Sequence, residues 1–354
     1  MKILQICAYA APYEGNFIKS LIALAMEAAK ENLQTIYCFP ETCKELDWCK
    51  TLENVYKVYY VPLAHARILP KTYFILRKIF IENPDILYAH SHFELYDTPL
   101  ALMAPSSVKV FWHLHDAIST YLQGVKKYVW KIHYSLFSKR AILLSVSKKH
   151  MRVVVNLGFN EKNAYYEPNA IDTERIKIVS KNRETKCDFL IFGWDYYRKG
   201  VDLAIKAIAK VKSNKILGIV GLDGESVTRH NGYTCIDIKS SSDVNEIFNK
   251  SRCFLHISRA EGLSYALLEA LYSGLPVIVS DIEENQIAAD FPTAVMVRNE
   301  NVDDIVNAMN LLMNKNYENP DEAINRSRHL IDEFYSISSW AKRILNDYKT
   351  IELA

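Results

Sequence analysis

One stretch limits the folds open to this chain more than any other: EGLSYALLEALYSGLPVIVSD, residues 261–281. Ser264 suits an N-cap, and Tyr265-Ala266-Leu267-Leu268-Glu269-Ala270-Leu271 suits a helix. Gly274 stands where a helix end takes a left-handed residue, and Pro276 forbids continuation. Val277-Ile278-Val279 then reads as a short buried strand, closed by Ser280-Asp281. Upstream, Cys253–Ser258 reads as the strand that delivers Glu261. Strand, acidic loop, helix, glycine stop and strand follow one another as in a parallel α/β sheet.

That order has a chemical consequence. The first amides of a helix have no partner within it, and with the helix dipole they form an anion site suited to phosphate. The loop Glu261-Gly262-Leu263-Ser264 opens the helix at such a site, with Glu261 beside it and Glu269 a little over one turn inside. Carboxylates repel a phosphate, but they suit the hydroxyls at either end of a diphosphate, a sugar on one side and a ribose on the other. The plain alternative is two solvated acids on a helix surface. The Gly-Leu-Pro stop and the apolar strand weigh against it, because they place the pair at the mouth of a parallel sheet, where ligands of open α/β folds bind.

Residues 261–281 resemble the signature of the family-four retaining glycosyltransferases of GT-B fold (glycosyl transferases group 1). That signature has two glutamates separated by seven residues and then a Gly-x-Pro-Val strand. The resemblance implies an α/β protein with two Rossmann-like doubly wound parallel-sheet domains facing a central cleft. It extends over most of the chain, strongest in 187–285. The expected division is 1–172 as an acceptor-side domain, 173–186 as the connection, 187–335 as the nucleotide-sugar domain, and 336–354 as a last helix crossing back.

Length and composition agree with this. A chain of 354 residues has material for two α/β cores. The seven cysteines are irregularly spaced, several in apparent strands, which disfavours a disulfide framework and favours a reducing cytosol. Cys43 and Cys49 lack the paired spacing of a metal site. No run is long enough for a membrane helix, and Met1–Ile6 reads as a first buried strand rather than a signal peptide. The net charge of +2 hides an asymmetry: between Lys109 and Arg152 nine lysines and arginines face Asp116 alone. Such a face attracts lipid headgroups, a phosphorylated acceptor or nucleic acid.

Taken in order, residues 2–8 are strand-like, and a loop containing Gly15 leads into a helix from about Phe17 to Lys30. No G-x-G-x-x-G is present. In the resembled family a Gly-rich first loop lets the backbone approach the donor diphosphate, and Gly15 matches it. Residues 64–82 have helical spacing. Ile86–His90 reads as a strand, with His90, Ser91 and His92 in the loop after it. Val108–His113 is the next strand, followed by Leu114-His115-Asp116. The resemblance gives His115 a place near the donor sugar; His113, on the same face of a continued strand, is the alternative.

Residues 121–140 are basic and aromatic together. They suit a helix lying on an anionic membrane, with Tyr, Trp and Phe on one side and Lys on the other, or equally a core-facing aromatic stripe with solvated lysines. No nucleic-acid module is recognisable. Glu167-Pro168-Asn169-Ala170-Ile171-Asp172 resembles the family's Pro-Asn-Gly-x-Asp segment, with Ala170 in place of Gly.

In the second half, Cys187–Phe192 is a buried strand and Gly193–Gly200 a turn before a helix at Val201–Val211. The resembled family has Gly-Arg and then Lys-Gly here, its Arg and Lys holding the diphosphate. Lys199-Gly200 match, Trp194 replaces the Arg, and Arg198 is the candidate to supply the guanidinium. Cations fixed beside a departing diphosphate stabilise its growing charge in the transition state. Ile238 closes a short apolar strand whose backbone suits a nucleobase edge.

The resemblance therefore implies a retaining transferase needing neither metal nor cofactor, moving a sugar from a nucleotide sugar to an acceptor hydroxyl in cell-surface polysaccharide or glycolipid synthesis. The acceptor is a glycan or lipid-linked glycan, and the location cytoplasmic or on the inner membrane face. Glu261, Lys199, Arg198 and His115 are the candidate catalytic residues. Gly15, Gly193, Ile238, Gly262, Leu263, Ser264, Tyr265 and Glu269 are the candidate donor contacts. Two alternatives remain: a nucleotide-sugar epimerase, and a non-catalytic subunit partnering an active transferase.

Overall fold

The computed structural model describes residues 1–115, 125–180, 182–211, 214–221, 227–230, 232–241, 243–314 and 320–354. Asp116 and residues 121–124, both invoked above, lie outside these. The chain divides into two compact units, Met1–Ala170 with Ile337–Ala354, and Ile171–Ser336.

The first unit alternates strand and helix. In order these are β1 (Lys2–Cys7), α1 (Gly15–Lys30), β2 (Gln34–Pro40), α2 (Asp47–Glu53), β3 (Lys57–Val61), α3 (Pro70–Glu82), β4 (Ile86–His92), α4 (Asp97–Met103), β5 (Lys109–Leu114), α5 (Val125–Phe137), β6 (Ala141–Ser145), α6 (Lys148–Asn156) and β7 (Ala164–Tyr166). The strands form one parallel sheet in the order β3-β2-β1-β4-β5-β6-β7. Its direction of growth reverses between β1 and β4, which opens a crevice at their carboxyl ends. There Cys7 pairs with His92, and His92 with His113.

Both faces of this sheet are covered, which is why its strands are apolar almost throughout. Leu4, Ile6, Trp112 and Leu143 pack under Leu76, Leu100 and Tyr134. On the other face Ile3, Tyr37, Phe111 and Ile142 meet Leu21 and Leu24 of α1 with Trp340, Ile344 and Tyr348 of the final helix. Arg343 of that helix bonds the buried Glu167, at 2.7 Å.

Two expectations are corrected here. The helix expected over 64–82 starts only at Pro70, because His65 lies at φ +55° and a proline fits the first helical turn. His90, Ser91 and His92 are not loop residues; they are the last three of β4.

The second unit contains β8 (Cys187–Phe192), α7 (Val201–Ile208), β9 (Lys215–Val220), β10 (Val227–His230), β11 (Tyr233–Ile238), α8 (Val244–Phe248), β12 (Ser251–His256), α9 (Tyr265–Ser273), β13 (Val277–Ser280), β14 (Ala294–Val297), α10 (Val302–Asn314) and α11 (Pro320–Phe334). The order is β10-β11-β9-β8-β12-β13-β14, parallel except for β10 against β11. This sheet reverses between β8 and β12, so the loops after those strands flank its crevice. The chain then returns to the first unit as α12 (Ile337–Thr350).

The polar stretch 173–186, expected as a connection, belongs to the second unit. The amide of Val179 donates to the Ser273 carbonyl, and those of Lys177 and Ser180 donate to Asn245 and Asn249.

Candidate active site

Lys199 and Arg198 end the loop after β8, and Glu261 lies in the loop after β12, so the switch point of the second sheet brings the three together. Glycine makes this approach possible. Gly200 has φ +77°, and a Cβ there would stand 2.4 Å from the Ile257 carbonyl oxygen. The two loops are also tied by Arg259, whose amide donates to the Arg198 carbonyl at 2.8 Å. Its guanidinium grips Asp202 with both arms and lies over the Tyr197 ring.

Within this frame Lys199 Nζ donates to Glu261 Oε1 at 2.6 Å and Arg198 Nη1 to Oε2 at 3.2 Å. Glu261 and Lys199 are buried, whereas Arg198 is half-buried and also bonds Asp195, at 2.7 Å. Burial alone would raise the Glu261 carboxyl. The Lys199 ammonium, its hydrogen bond and the neighbouring His256 outweigh it and hold the carboxyl at about 2. The group is therefore an anion at any ordinary pH. An ammonium has three hydrogens to donate, so Lys199 keeps capacity for a second anion after binding Glu261. Trp194 lies beside it, the ammonium 5.2 Å from the ring centroid.

The helix after Glu261 takes the expected form. Ser264 is the N-cap of α9, but its hydroxyl makes no capping bond, and Gly274 ends the helix at φ +75°. Ser264 thus leaves the first amides of α9 uncapped by its own side chain. Leu263 is buried and Gly262, Ser264 and Tyr265 half-buried. Glu269 is buried one turn on and is gripped by Arg175. Deeper in the same crevice His256 Nε2, Ser258 Oγ and Asn285 Oδ1 are buried without hydrogen-bond partners.

The remaining expected donor contacts are spread out. Gly193 gives its amide to the Val220 carbonyl, at 2.8 Å, so that amide belongs to the sheet and is not open to a phosphate. Ile238 ends β11, two strands from β8, with its side chain buried against Gly218. Arg175, Arg259, Asp195 and His256 went unnoticed in the sequence. Arg259 stands two residues before Glu261 and had a signal in that position; Arg175 was hidden in a polar stretch.

His115 and Gly15 belong to the first unit. Gly15 opens α1 at φ +57°. His115 follows β5, buried, and both of its ring nitrogens are engaged: Nε2 with His92 Nδ1 at 3.0 Å and Nδ1 with Asn169 Oδ1 at 3.1 Å. Burial depresses its pKa to about 4, against a smaller upward pull from Asn169. His113 lies deeper, 3.4 Å from the Glu167 carbonyl.

Among the described residues, His90, His92 and His113 have ring nitrogens within 4.8 Å of one another, the closeness a metal ion needs. Their rings stack instead of converging, His90 on His92 at 4.0 Å and 28° and His90 on His113 at 5.3 Å and 9°. Lone pairs lie in the ring plane, so stacked rings point them side by side. The trio therefore reads as a hydrogen-bonded stack.

On α5 the basic aromatic segment resolves into two faces. Trp130, His133, Tyr134 and Phe137 pack inward, with Trp112 stacked on His133. Tyr128, Val129, Ile132 and Leu136 point outward, each over 60% exposed, alongside the exposed Lys127 and Lys131. Trp130, Tyr134 and Phe137 thus follow the core-facing alternative, and a mostly aliphatic set with Tyr128 is exposed.

Comparisons with known proteins place this geometry. A family model described as Glycosyl transferases group 1 matches residues 172–330, and one described as Glycosyltransferase Family 4 matches residues 19–175. An uncharacterized glycosyltransferase of Haemophilus influenzae is 24% identical over 265 residues, covering 67% of this chain and 72% of that protein. Among solved structures, Anabaena Alr3699/HepE in complex with UDP and glucose is 14% identical with a TM-score of 0.77, covering 99% of this chain and 100% of that one. A glycosyltransferase from Rickettsia africae is 13% identical with a TM-score of 0.76, covering 98% and 97%. At such identities the likeness to solved structures is one of fold.

Proposed function

This chain belongs to the family-four glycosyltransferases of GT-B fold, and from that premise we propose that it moves a sugar from a nucleoside diphosphate sugar to an acceptor hydroxyl, with retention at the anomeric carbon and without a metal ion. The observation that supports this most is the buried Lys199–Glu261 pair, with Arg198, at the switch point where α9 begins. In this reading the diphosphate lies against the first amides of α9, and Lys199 and Arg198 turn their remaining hydrogens to it. As the bond to the sugar breaks, charge builds on the leaving phosphate. Fixed cations then bind the transition state more strongly than the ground state. Glu261 takes hydroxyls of the donor sugar, Glu269 the ribose diol, and His115 helps to orient the sugar. Gly15, Gly262, Leu263, Ser264, Tyr265 and the backbone at Ile238 complete the donor contacts. Acceptor attack on the face that the diphosphate leaves, with a donor phosphate oxygen taking the proton, gives retention.

The acceptor in this reading is a glycan or lipid-linked glycan of cell-surface polysaccharide or glycolipid synthesis. The outward apolar face of α5 and its lysines support a peripheral position on an anionic membrane. UDP is bound by the Anabaena protein of like fold, and UDP-sugars are the first donors to try.

The test is a panel of nucleotide sugars incubated with the purified chain, read as thermal stabilisation and slow donor hydrolysis. One donor should stand out in both. Glu269→Ala should lose affinity for the matching nucleoside diphosphate; unchanged affinity for every nucleoside diphosphate removes the ribose role.

A further inference from the structure

A continuous line of hydrogen-bonding groups runs through the first unit at its switch point. His90 Nδ1 is 2.7 Å from the Tyr348 hydroxyl, which is 2.8 Å from Gln5 Nε2. Gln5 Oε1 is 2.9 Å from His92 Nε2, His92 Nδ1 is 3.0 Å from His115 Nε2, and His115 Nδ1 is 3.1 Å from Asn169 Oδ1. All six side chains are buried. The line stops at His90 Nε2, which is buried without a partner.

Counting hydrogens restricts what this line can be. As placed, it has an accepting oxygen of Gln5 at one end of the histidine pair and one of Asn169 at the other. Three hydrogen bonds lie between them, and each needs a hydrogen from an imidazole. Three hydrogens on two rings make one imidazolium. Among the described residues nothing compensates such a charge. Among the described residues, the groups acting on these rings are the other imidazoles, His90 and His113, which oppose it. Cys7 from β1 and Phe17 from α1 adjoin the pair, and the Glu167 carboxylate is taken by Arg343. A buried, uncompensated charge is strongly disfavoured, so the pair is neutral and one terminal amide is turned end for end.

The two possible turns differ at the far end. With Asn169 turned, every hydrogen points towards His90, whose Nδ1 accepts from Tyr348 and whose Nε2 then carries a bare, buried N–H. With Gln5 turned, every hydrogen points the other way. His90 donates to Tyr348, Tyr348 to Gln5, Gln5 to His92, His92 to His115 and His115 to Asn169, and His90 Nε2 is left with only a lone pair. Bare buried N–H groups are the rarer of the two defects.

We propose that Gln5, Tyr348 and His90 fix the tautomer of His115, with its hydrogen on Nδ1, and that Gln5 and His92 are positioning residues for the donor sugar. The second half rests on the reading of His115 given above. A sugar hydroxyl that takes the place of Asn169 must then accept, not donate, a hydrogen bond from this ring.

Nitrogen-15 NMR of the imidazoles in the full chain tests this without any variant. His115 should show the Nδ1–H form at neutral pH, and an Nε2–H form overturns the proposal. In Tyr348→Phe the selecting link is gone, and His115 should become a mixture of tautomers. In Gln5→Glu a carboxylate meets His92 Nε2, and the pair should titrate about 1–3 pH units higher. An unchanged His115 signal in both folded variants also overturns it. The transfer assay separates the two halves. A tautomer that responds while kcat/KM for the donor stays constant upholds the wire and removes the sugar role of His115. A parallel fall in kcat with KM unchanged supports both.

Discussion

The ammonium of Lys199 lies 2.6 Å from Oε1 of Glu261, and both side chains are more than nine-tenths buried. Glu261 therefore keeps its charge chiefly through Lys199. Glu261→Gln should strand the ammonium in the interior and destabilise the protein by about 3–5 kcal/mol. The pH dependence has a definite sign. Folding lowers the Glu261 carboxyl from 4.5 to about 2, so its contribution is complete above 4.5 and is lost as pH falls towards 2. Melting curves between pH 6 and pH 3 should show a smaller acid loss in Glu261→Gln than in the wild type, once losses common to both are subtracted.

Lys199→Ala should lower turnover about a hundredfold or more while changing donor KM much less, as expected of a donor that acts on the transition state. Single-turnover kinetics with the donor found in the panel would check this. Normal turnover in the variant would remove Lys199 from the chemistry.

Arg198 is tested by a compensating change. Arg198→Ala should reduce turnover roughly a hundredfold, the scale of one lost charge-stabilising contact. Trp194 is exposed and adjacent to Lys199, so the double variant Arg198→Ala/Trp194→Arg should recover part of the loss. No recovery would show that a guanidinium at 194 does not reach where the Arg198 group acts.

Buried imidazoles make the fold acid-sensitive. Burial lowers His115, His133 and His256 each from 6.5 to about 4. The unfolded chain takes up these protons first. Their share of the stability should thus fall as pH drops from about 6.5 towards 4, opposed by the buried carboxyls of Asp97 and Glu167, which burial raises to about 7 and which take up protons in the folded state over the same range. NMR of the three imidazoles between pH 7 and pH 4 would measure it; rings that titrate near 6.5 in the folded protein would show that burial does not hold them neutral.

The exposed face of α5 predicts lipid binding that is both apolar and electrostatic. The full chain should co-sediment with vesicles containing phosphatidylglycerol and not with neutral ones, and salt should weaken the association. Replacing Lys127 and Lys131 with Glu should cost about 1 kcal/mol of binding for each lysine lost, and Ile132→Ser/Leu136→Ser should weaken it further. Equal binding to neutral vesicles would contradict the electrostatic half.

Much of the second unit was legible locally. The helix from Tyr265, its stop at Gly274 and the strand after Pro276 are each written in a few adjacent residues, and all three form. What could not be read was pairing across distance. Lys199 and Glu261 were placed on one ligand but not on each other, because their contact depends on which strands are neighbours. Glu269 likewise meets Arg175, which sits in a stretch whose polarity looked like that of a tether. In the first unit His-x-His looked like a loop because histidine is polar. Only the alternation of a strand puts both rings on one buried face, where they stack and take Tyr348, Gln5 and His115 as partners instead of solvent.

Since α12 completes the face of a sheet whose other members precede residue 171, the first unit cannot finish its core until α12 has left the ribosome. Ile171–Ser336, contiguous in sequence, is free to fold earlier. During synthesis Phe111, Ile142 and the histidine-bearing edge of β4 and β5 wait uncovered, so a nascent chain halted short of Trp340 and Tyr348 would be a natural client for chaperones.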